Sequence, residues 1–320
     1  MKQNRLKFLM LLVLMLSVLS SSSQTFKSKG ITYEITSTKE RAVKIIKGDN
    51  PYSGRVVIPS QVDYYGTALT VKEIDEDAFK YTKITSVVIP STIEKMDYAF
   101  YYCSRLASVT LGDLRTIGKY AFSNCKSLTS IVIPNSVTTI GGWAFENCSG
   151  LTSITIPNSV TTIGNGAFTY SGLTSITIPN SVTFIGQNAF EYCSHLTSVT
   201  LGNSVTEIYA ETFQGCRGLT SIIIPNSVTR IGHEAFYDCK GLTTVTIGRF
   251  VKIIENQAFN GCQNLITIIC EAGMPPTLNE INFPIFPDYL KPTVYVPWLS
   301  IGAYKKDPKW GQFAKIRAIE

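Results

Sequence analysis

The chain has 320 residues, of which 44% are hydrophobic, 11% aromatic and 16% charged, with a formal net charge of +6. A charged fraction this far below the ~25% of an average soluble domain, joined to so much apolar content, excludes a disordered chain. Lys2, Arg5 and Lys7 carry three of those charges, and the +3 that remains leaves no basic footprint for nucleic acid.

Lys2 and Arg5 precede a nearly unbroken apolar run from Phe8 to Leu19, and Ser20 to Ser23 follow it. A basic start, a short apolar core and a small-residue exit read as a secretory signal peptide over residues 1–23. The apolar run of about twelve residues falls short of the ~20 that span a bilayer. No cysteine precedes Cys103, so the thiol of a lipoprotein anchor is missing. The expected product is exported, and either secreted or held at the cell surface without a membrane span. Residues 24–320 read as one domain, opening with an N-terminal cap over 24–55 in which Ile31–Ile35 and Arg41–Ile46 are two expected strands.

A repeat fills residues 56–270. From Gly118 the chain reads Gly-Lys-Tyr-Ala-Phe-Ser-Asn-Cys-Lys-Ser-Leu-Thr-Ser-Ile-Val-Ile-Pro-Asn-Ser-Val-Thr-Thr-Ile, and Gly141 begins the same unit again. Its Phe recurs at Phe79, Phe100, Phe122, Phe145, Phe168, Phe190, Phe213, Phe236 and Phe259, in steps of 21 to 23 residues. A period in the low twenties predicts a leucine-rich-repeat solenoid, strand-dominated within the α/β horseshoe class, with one short parallel strand per ~23-residue repeat. Leu151–Pro157 alternates apolar and small polar residues, and Pro157 ends that strand. Equivalent strands are expected to end at Ile58, Ile89, Leu111, Ile133, Ile178, Leu201, Ile224, Ile247 and Ile269. The phases of Cys148, Leu151, Ile154, Ile156, Val160, Ile163 and Phe168 point inside. Those of Ser153 and Thr155 point out onto the concave face. Asn158-Ser159 and its copies form a turn whose polar side chains can satisfy neighbouring backbone. Gly118, Gly141, Gly164, Gly186 and Gly232 suit a tight bend, and Ala-Phe-x-x-Cys suits a helical turn on the convex side. About ten rungs at ~4.8 Å spacing build a core ~45 Å long. Pro275-Pro276 marks the change to a C-terminal cap over 271–320, with Thr293–Pro297 as a strand and Tyr304, Trp310, Phe313 and Ile316 sealing the end.

The unit Ala-Phe-x-x-Cys-x-x-Leu-Thr-Ser-Ile-Thr-Ile-Pro-Asn-Ser-Val-Thr-x-Ile-Gly resembles the BspA-like leucine-rich repeats of bacterial surface proteins, over about residues 26–320. The resemblance implies a surface or secreted protein, with adhesion to host matrix proteins or other cells among the family's roles. The larger members carry an immunoglobulin-like domain, a sorting domain or a wall anchor; this sequence shows none.

Seven cysteines, Cys103, Cys125, Cys148, Cys193, Cys216, Cys239 and Cys262, each lie three residues after the repeat Phe. One slot per rung, filled near Thr82 and Ser171 by other small residues, reads as a buried free thiol acting as a small hydrophobe rather than a disulfide framework. Cys270 stands outside the slot. No nucleotide loop, zinc motif or nucleophile elbow is present. His195 and His233 fall in different phases, where other units carry Arg105, Ser127, Gly150 or Asn165, and read as surface substitutions. Asp75-Glu76-Asp77 lacks the Gly and spaced Glu of a calcium loop and reads as a solvated turn. No catalytic residue, metal or cofactor is expected.

Two surfaces remain as candidate binding sites. One is the hydroxyl track that includes Ser130, Ser153, Thr155, Ser175, Thr177, Ser198 and Thr200, which could equally solubilise a flat sheet. The other is the set of aromatics flanking Ala-Phe, with Tyr120 over Trp143 in one phase and Tyr170 over Tyr192 in another, which could equally cover the outer loops. The expected function is a monomeric, non-enzymatic surface or secreted binding protein contacting an extracellular protein along the stack. A glycan-binding part of a nutrient-capture system and a purely structural scaffold are the other readings.

Overall fold

The computed structural model describes residues 24–280, 284–286 and 291–319. The expected signal segment, residues 1–23, lies outside the described residues. The rest is a parallel β-solenoid of about ten turns with little helix. Ser/Thr-alternating strands pair in register one repeat apart, as in Ser221↔Thr244↔Thr267↔Thr293, so each rung stacks its equivalents on those before and after. The N-terminal strands Ile31–Ser37 and Ala42–Ile46 form as the sequence suggests. They are joined in one sheet by Thr25–Ser28, Gln61–Tyr64 and Thr67–Ile74, which the periodicity did not single out.

A second, narrow sheet comes from the Val-Thr-x-Ile step after the Asn-Ser turn. Thr116–Ile117, Thr139–Ile140, Thr162–Ile163 and Phe184–Ile185 pair in parallel, and Ile117, Ile140, Ile163 and Ile185 point inward. β-branched residues at a two-residue rung suit this short ladder. A third ladder runs along the Ala-Phe turn, which is no helical turn. Residues two before and two after the Phe adopt left-handed backbone, as in Tyr120 (φ 53°) and Asn124 (φ 62°). That alternation aims every second N–H along the stack: Tyr98, Phe100 and Tyr102 donate to the Lys119, Ala121 and Ser123 carbonyls at 2.7, 2.9 and 2.9 Å.

Inside, the phenylalanines form one continuous column. Phe79 to Phe259 stack face to face at 5.2–5.7 Å between centroids. Tyr52 closes the column at one end, 4.7 Å from Phe79. Phe286 extends it past the last recognisable repeat, 5.4 Å from Phe259 and nearly parallel to it. Trp310 and Phe313 then cover Phe286 edge-on. Trp310 is fully buried and donates from Nε1 to the Pro276 carbonyl at 2.8 Å, while the Tyr304 hydroxyl reaches Ala272 O at 3.0 Å. These contacts make the aromatic C-terminal seal.

The glycines that share this phase of the repeat serve close approach rather than a bend. Gly118, Gly141, Gly164, Gly186 and Gly232 have no left-handed φ. A Cβ at Gly141 would instead lie 2.8 Å from the Gly118 carbonyl carbon, and at Gly232 2.8 Å from the Ala210 nitrogen. The rungs touch backbone to backbone there.

The cysteine slot also differs from the expectation of a purely apolar filler. All eight cysteines are buried and unbridged. The seven slot thiols each donate to the carbonyl of the Phe one rung back, at 3.0–3.3 Å. Thr82 and Ser171 keep the slot polar, with Thr82 Oγ1 donating to Phe79 O at 2.6 Å and Ser171 Oγ 3.2 Å from Cys193 Sγ. Burial pushes the thiols up, Cys103 to about 11 and Cys148 and Cys193 to about 12.

Candidate functional site: the hydroxyl face and the aromatic edge

The strand ladder on the hydroxyl face is interrupted. Strands are formed at Lys83–Ile89, Ser108–Leu111, Ser175–Thr177, Ser198–Thr200 and onward, but residues 130–133 and 153–156 form none. No backbone hydrogen bond joins 129–133 to either neighbour, and Thr174 N to Thr152 O at 3.1 Å is the backbone link that resumes the series. The ladder breaks again between Ser198–Thr200 and Ser221–Ile224, which are not paired. The same rungs stay bonded through the second sheet and the Ala-Phe ladder, as in Thr139↔Thr162 and Phe122 N to Ala144 O. They are therefore pinned on two sides and fan open on the third.

The opening makes a cleft of about 610 Å³ lined by Ser130, Ile131, Val132, Ser153, Ile154, Thr155, Ser175 and Thr177, with Asn158 and Pro179 at one end. Five of the hydroxyl-track residues singled out from sequence come together in it. Ser198 and Thr200 lie on the next strand, outside the lining. Val132, 83% exposed, puts an apolar side chain among the hydroxyls. Around the cleft, threonine hydroxyls tie rungs together: Thr174 and Thr197 donate to Thr152 O and Thr174 O at 3.2 and 3.0 Å. The Asn-Ser turns do likewise, with Ser159 Oγ on Val137 O at 2.7 Å. Polar backbone left open to solvent, beside alternating hydroxyl and apolar side chains, is chemically suited to a polypeptide that brings its own N–H and C=O groups.

The aromatic residues stack as their phases predict. Tyr120 and Trp143 lie 5.1 Å apart at 4°, and Tyr170 and Tyr192 4.9 Å apart at 13°. Tyr98 joins the first stack, 4.7 Å from Tyr120. Each stack ends on a glycine of the next rung: a Cβ at Gly166 would sit 2.3 Å from Trp143 Nε1, and one at Gly215 2.4 Å from Tyr192 Cδ1. Lys119 lies over Tyr120 and Trp143 at 5.6 and 5.4 Å. The faces of Tyr120, Trp143 and Tyr192 are thus occupied by other rings, by glycine backbone and by lysine, while Tyr170 stacks on Tyr192 and is 51% exposed. A sugar stacks on a free ring face, which Tyr120, Trp143 and Tyr192 do not offer. Burial raises the Tyr120 and Tyr170 phenols above their ordinary value, so they stay neutral donors at physiological pH.

The two histidines are separate in the fold. His195 is exposed, and His233 rests between Glu234 at 3.0 Å and the Asn256 carbonyl at 3.0 Å. Asp75 of the acidic run pairs with Lys44 at 3.0 Å, which holds that ammonium above its ordinary range. Among the described residues no group of three His, Cys, Asp or Glu side chains is placed to hold a metal.

A family model described as BspA type leucine rich repeat region matches residues 72–197 and 183–289, in six copies. The chain belongs to the BspA-type leucine-rich repeat family. Among solved structures it is similar to the pneumococcal vaccine antigen PcpA, with 16% identity and a TM-score of 0.58 over 94% of this chain and 100% of that one. It is also similar to a leucine-rich repeat protein of T. pallidum, with 27% identity and a TM-score of 0.47 over 76% of this chain and 91% of that one. A leucine-rich cell surface protein from Faecalibacterium prausnitzii A2-165 aligns at 24% identity and a TM-score of 0.34, over 78% of this chain and 95% of that one. No curated protein matches. As a BspA-type chain this protein is a repeat scaffold of the kind that serves protein interaction, within a family of bacterial surface proteins. Among its described residues no helix is long and apolar enough to cross a membrane.

Proposed function

We propose that the chain is a non-enzymatic adhesion or binding protein, exported by residues 1–23 and acting at or outside the cell surface, that takes an extended segment of an extracellular protein into the hydroxyl-face cleft. The observation that carries this reading is the interrupted ladder at 130–133 and 153–156, where unpaired backbone and the Ser130, Val132, Ser153, Thr155, Ser175 and Thr177 side chains share one concavity. A polypeptide in extended form supplies the missing hydrogen bonds and alternates side chains at the same period of two. Occupied ring faces at Tyr120, Trp143 and Tyr192 argue against a glycan at the aromatic edge.

The test is an array of host matrix proteins and glycans probed with the purified chain and with Thr155→Lys, Thr177→Lys and the double variant Tyr170→Asn/Tyr192→Asn. Saturable binding to a protein, lost in the two lysine variants and kept in the asparagine one, is the expected result. Binding confined to glycans and lost in the asparagine variant would overturn it. Silence on the whole array would favour a purely structural scaffold.

A further inference from the structure

Five successive turns after the hydroxyl-face strand carry the same polar pair, at Asn135-Ser136, Asn158-Ser159, Asn180-Ser181, Asn203-Ser204 and Asn226-Ser227. The next three break that rule together. Ladder register places Arg249-Phe250, Ala272-Gly273 and Trp298-Leu299 in the corresponding turns, because Ile247 pairs with Cys270 and Ile269 with Tyr295, and Met274 follows the middle pair by one residue. Phe250, Met274, Trp298 and Leu299 are 58%, 73%, 71% and 77% exposed. Large apolar side chains so far out of contact, Phe250, Trp298 and Leu299 in a slot that carries Asn-Ser in five other turns and Met274 beside it on the rung between, are not explained by packing. Trp, Phe, Met and Arg are the residue types that interfaces concentrate.

The patch is concave and charged at its rim. A cavity of about 510 Å³ lies among Arg249, Phe250, Glu271, Gly273, Pro297 and Ile319. Arg249 has no ion pair among the described residues. The C-terminal cap, 271–320, has six basic residues against five acidic ones, and of the six only Lys309 is paired among the described residues, to Glu280 at 3.1 Å. We propose that these three turns are a docking site for a second protein, one that presents an aromatic or aliphatic side chain beside a carboxylate. The apolar side chain fills the cavity and buries against Phe250 and Trp298, and the carboxylate meets Arg249. A bilayer would leave the concavity unfilled. Edge pairing with a second copy would set like charge on like, since Lys315 and Arg317 lie on the terminal strand Lys315–Ala318. The site lies apart from the hydroxyl cleft and shares with it only the reading of the chain as an interaction scaffold.

The experiment is selection of a phage-displayed random peptide library on the full chain, followed by affinity measurement on Arg249→Asn/Phe250→Ser and Trp298→Asn/Leu299→Ser. Both doubles install the pair that five other turns already use, so folding is expected to survive, and Met274→Ser adds a single exposed change as a safeguard. Expected are peptides with an aromatic or aliphatic residue next to Asp or Glu, losing at least about tenfold in affinity in each double variant, weakening with added salt and binding Thr155→Lys unchanged. Peptides without that pattern, or affinities the doubles leave intact, would overturn the site. So would binding lost in Thr155→Lys alone, which would leave the hydroxyl-cleft reading standing. Patch-dependent binding to phosphatidylglycerol vesicles, or patch-dependent self-association in sedimentation, with no such peptides selected, would also overturn it.

Discussion

At the residue scale the repeated slots are filled by hydrogen-bonding need as much as by size. A cysteine at position 148 fills a small buried space and donates to Phe122 O at 3.1 Å, a carbonyl that already accepts the Cys125 N–H. Losing the thiol therefore removes a weak bond and leaves a small void, without orphaning the acceptor. Cys148→Ala is expected to destabilise by about 1–2 kcal/mol and Cys148→Ser by less, since Ser171 occupies the same slot. Chemical denaturation of both variants checks the order; Ala matching or exceeding Ser would mean the slot is merely apolar. The raised thiol pKa values also set a pH dependence. The fold favours the neutral thiol, so this contribution is fully present below the ordinary thiol value of 9.0 and is lost as pH rises from there through about 12. Melting temperature against pH should be flat below that window and fall within it. At Gly166 (φ 62°) both backbone and space exclude a side chain, because Trp143 lies across it. Gly166→Ala is expected to lower stability by about 1–3 kcal/mol, and a neutral result in thermal unfolding would show that the indole is not held there.

At the scale of the element, each rung is tied to the next by up to three ladders and one stacked ring. Phe168 sits mid-column, 5.4 Å from both Phe145 and Phe190, so Phe168→Ala removes two stacks and opens a cavity that flanking rungs cannot close. A loss of about 3–5 kcal/mol is expected by denaturant titration. Tyr170→Asn should be far milder, since Asn124 and Asn147 hold the equivalent left-handed position and bond to each other at 2.6 Å. The strand and the inward Phe were legible because period two and the low-twenties repeat are read directly from side-chain types. The left-handed residues flanking Ala-Phe were less so, because the Asn and Gly that signal φ > 0 at Asn124, Asn147, Gly166, Asn188 and Gly215 are interspersed with Tyr, Trp and Glu at the same phases of other units. Phe286 was missed because it follows Phe259 by 27 residues, outside the period. The narrow second sheet went unseen because two residues are too few to show alternation.

At the scale of the molecule, a stack in which each rung touches only its neighbours depends on its ends. Trp310 covers the last ring of the column, and Trp310→Ala is expected to lower the melting temperature and to raise amide exchange first in Lys315–Ala318 and Thr293–Val296. Uniform exchange along the chain would show that the cap does not guard that end. The hydroxyl track was visible in the sequence as residues, but the cleft was not. Ser130-Ile-Val-Ile and Ser153-Ile-Thr-Ile have the same alternation as Ser175-Ile-Thr-Ile, which does form a strand, and the difference lies in how the stacked rungs are pinned rather than in local composition. The exposed Arg249-Phe250 and Trp298-Leu299 pairs were overlooked for the opposite reason: they depart from the repeat, and attention to the period passes over departures.

The measurement that bears most directly on the central claim is native-state hydrogen exchange of the free chain, resolved by peptide. Amides of residues 129–133 and 153–156 should exchange much faster than those of Lys83–Ile89 and Ser221–Ile224, while Phe122, Phe145 and their neighbours on the Ala-Phe ladder stay protected in the same rungs. Equal protection of 129–133 and 153–156 with the flanking strands would mean that the hydroxyl ladder is closed, and the cleft proposed to take a partner would not exist.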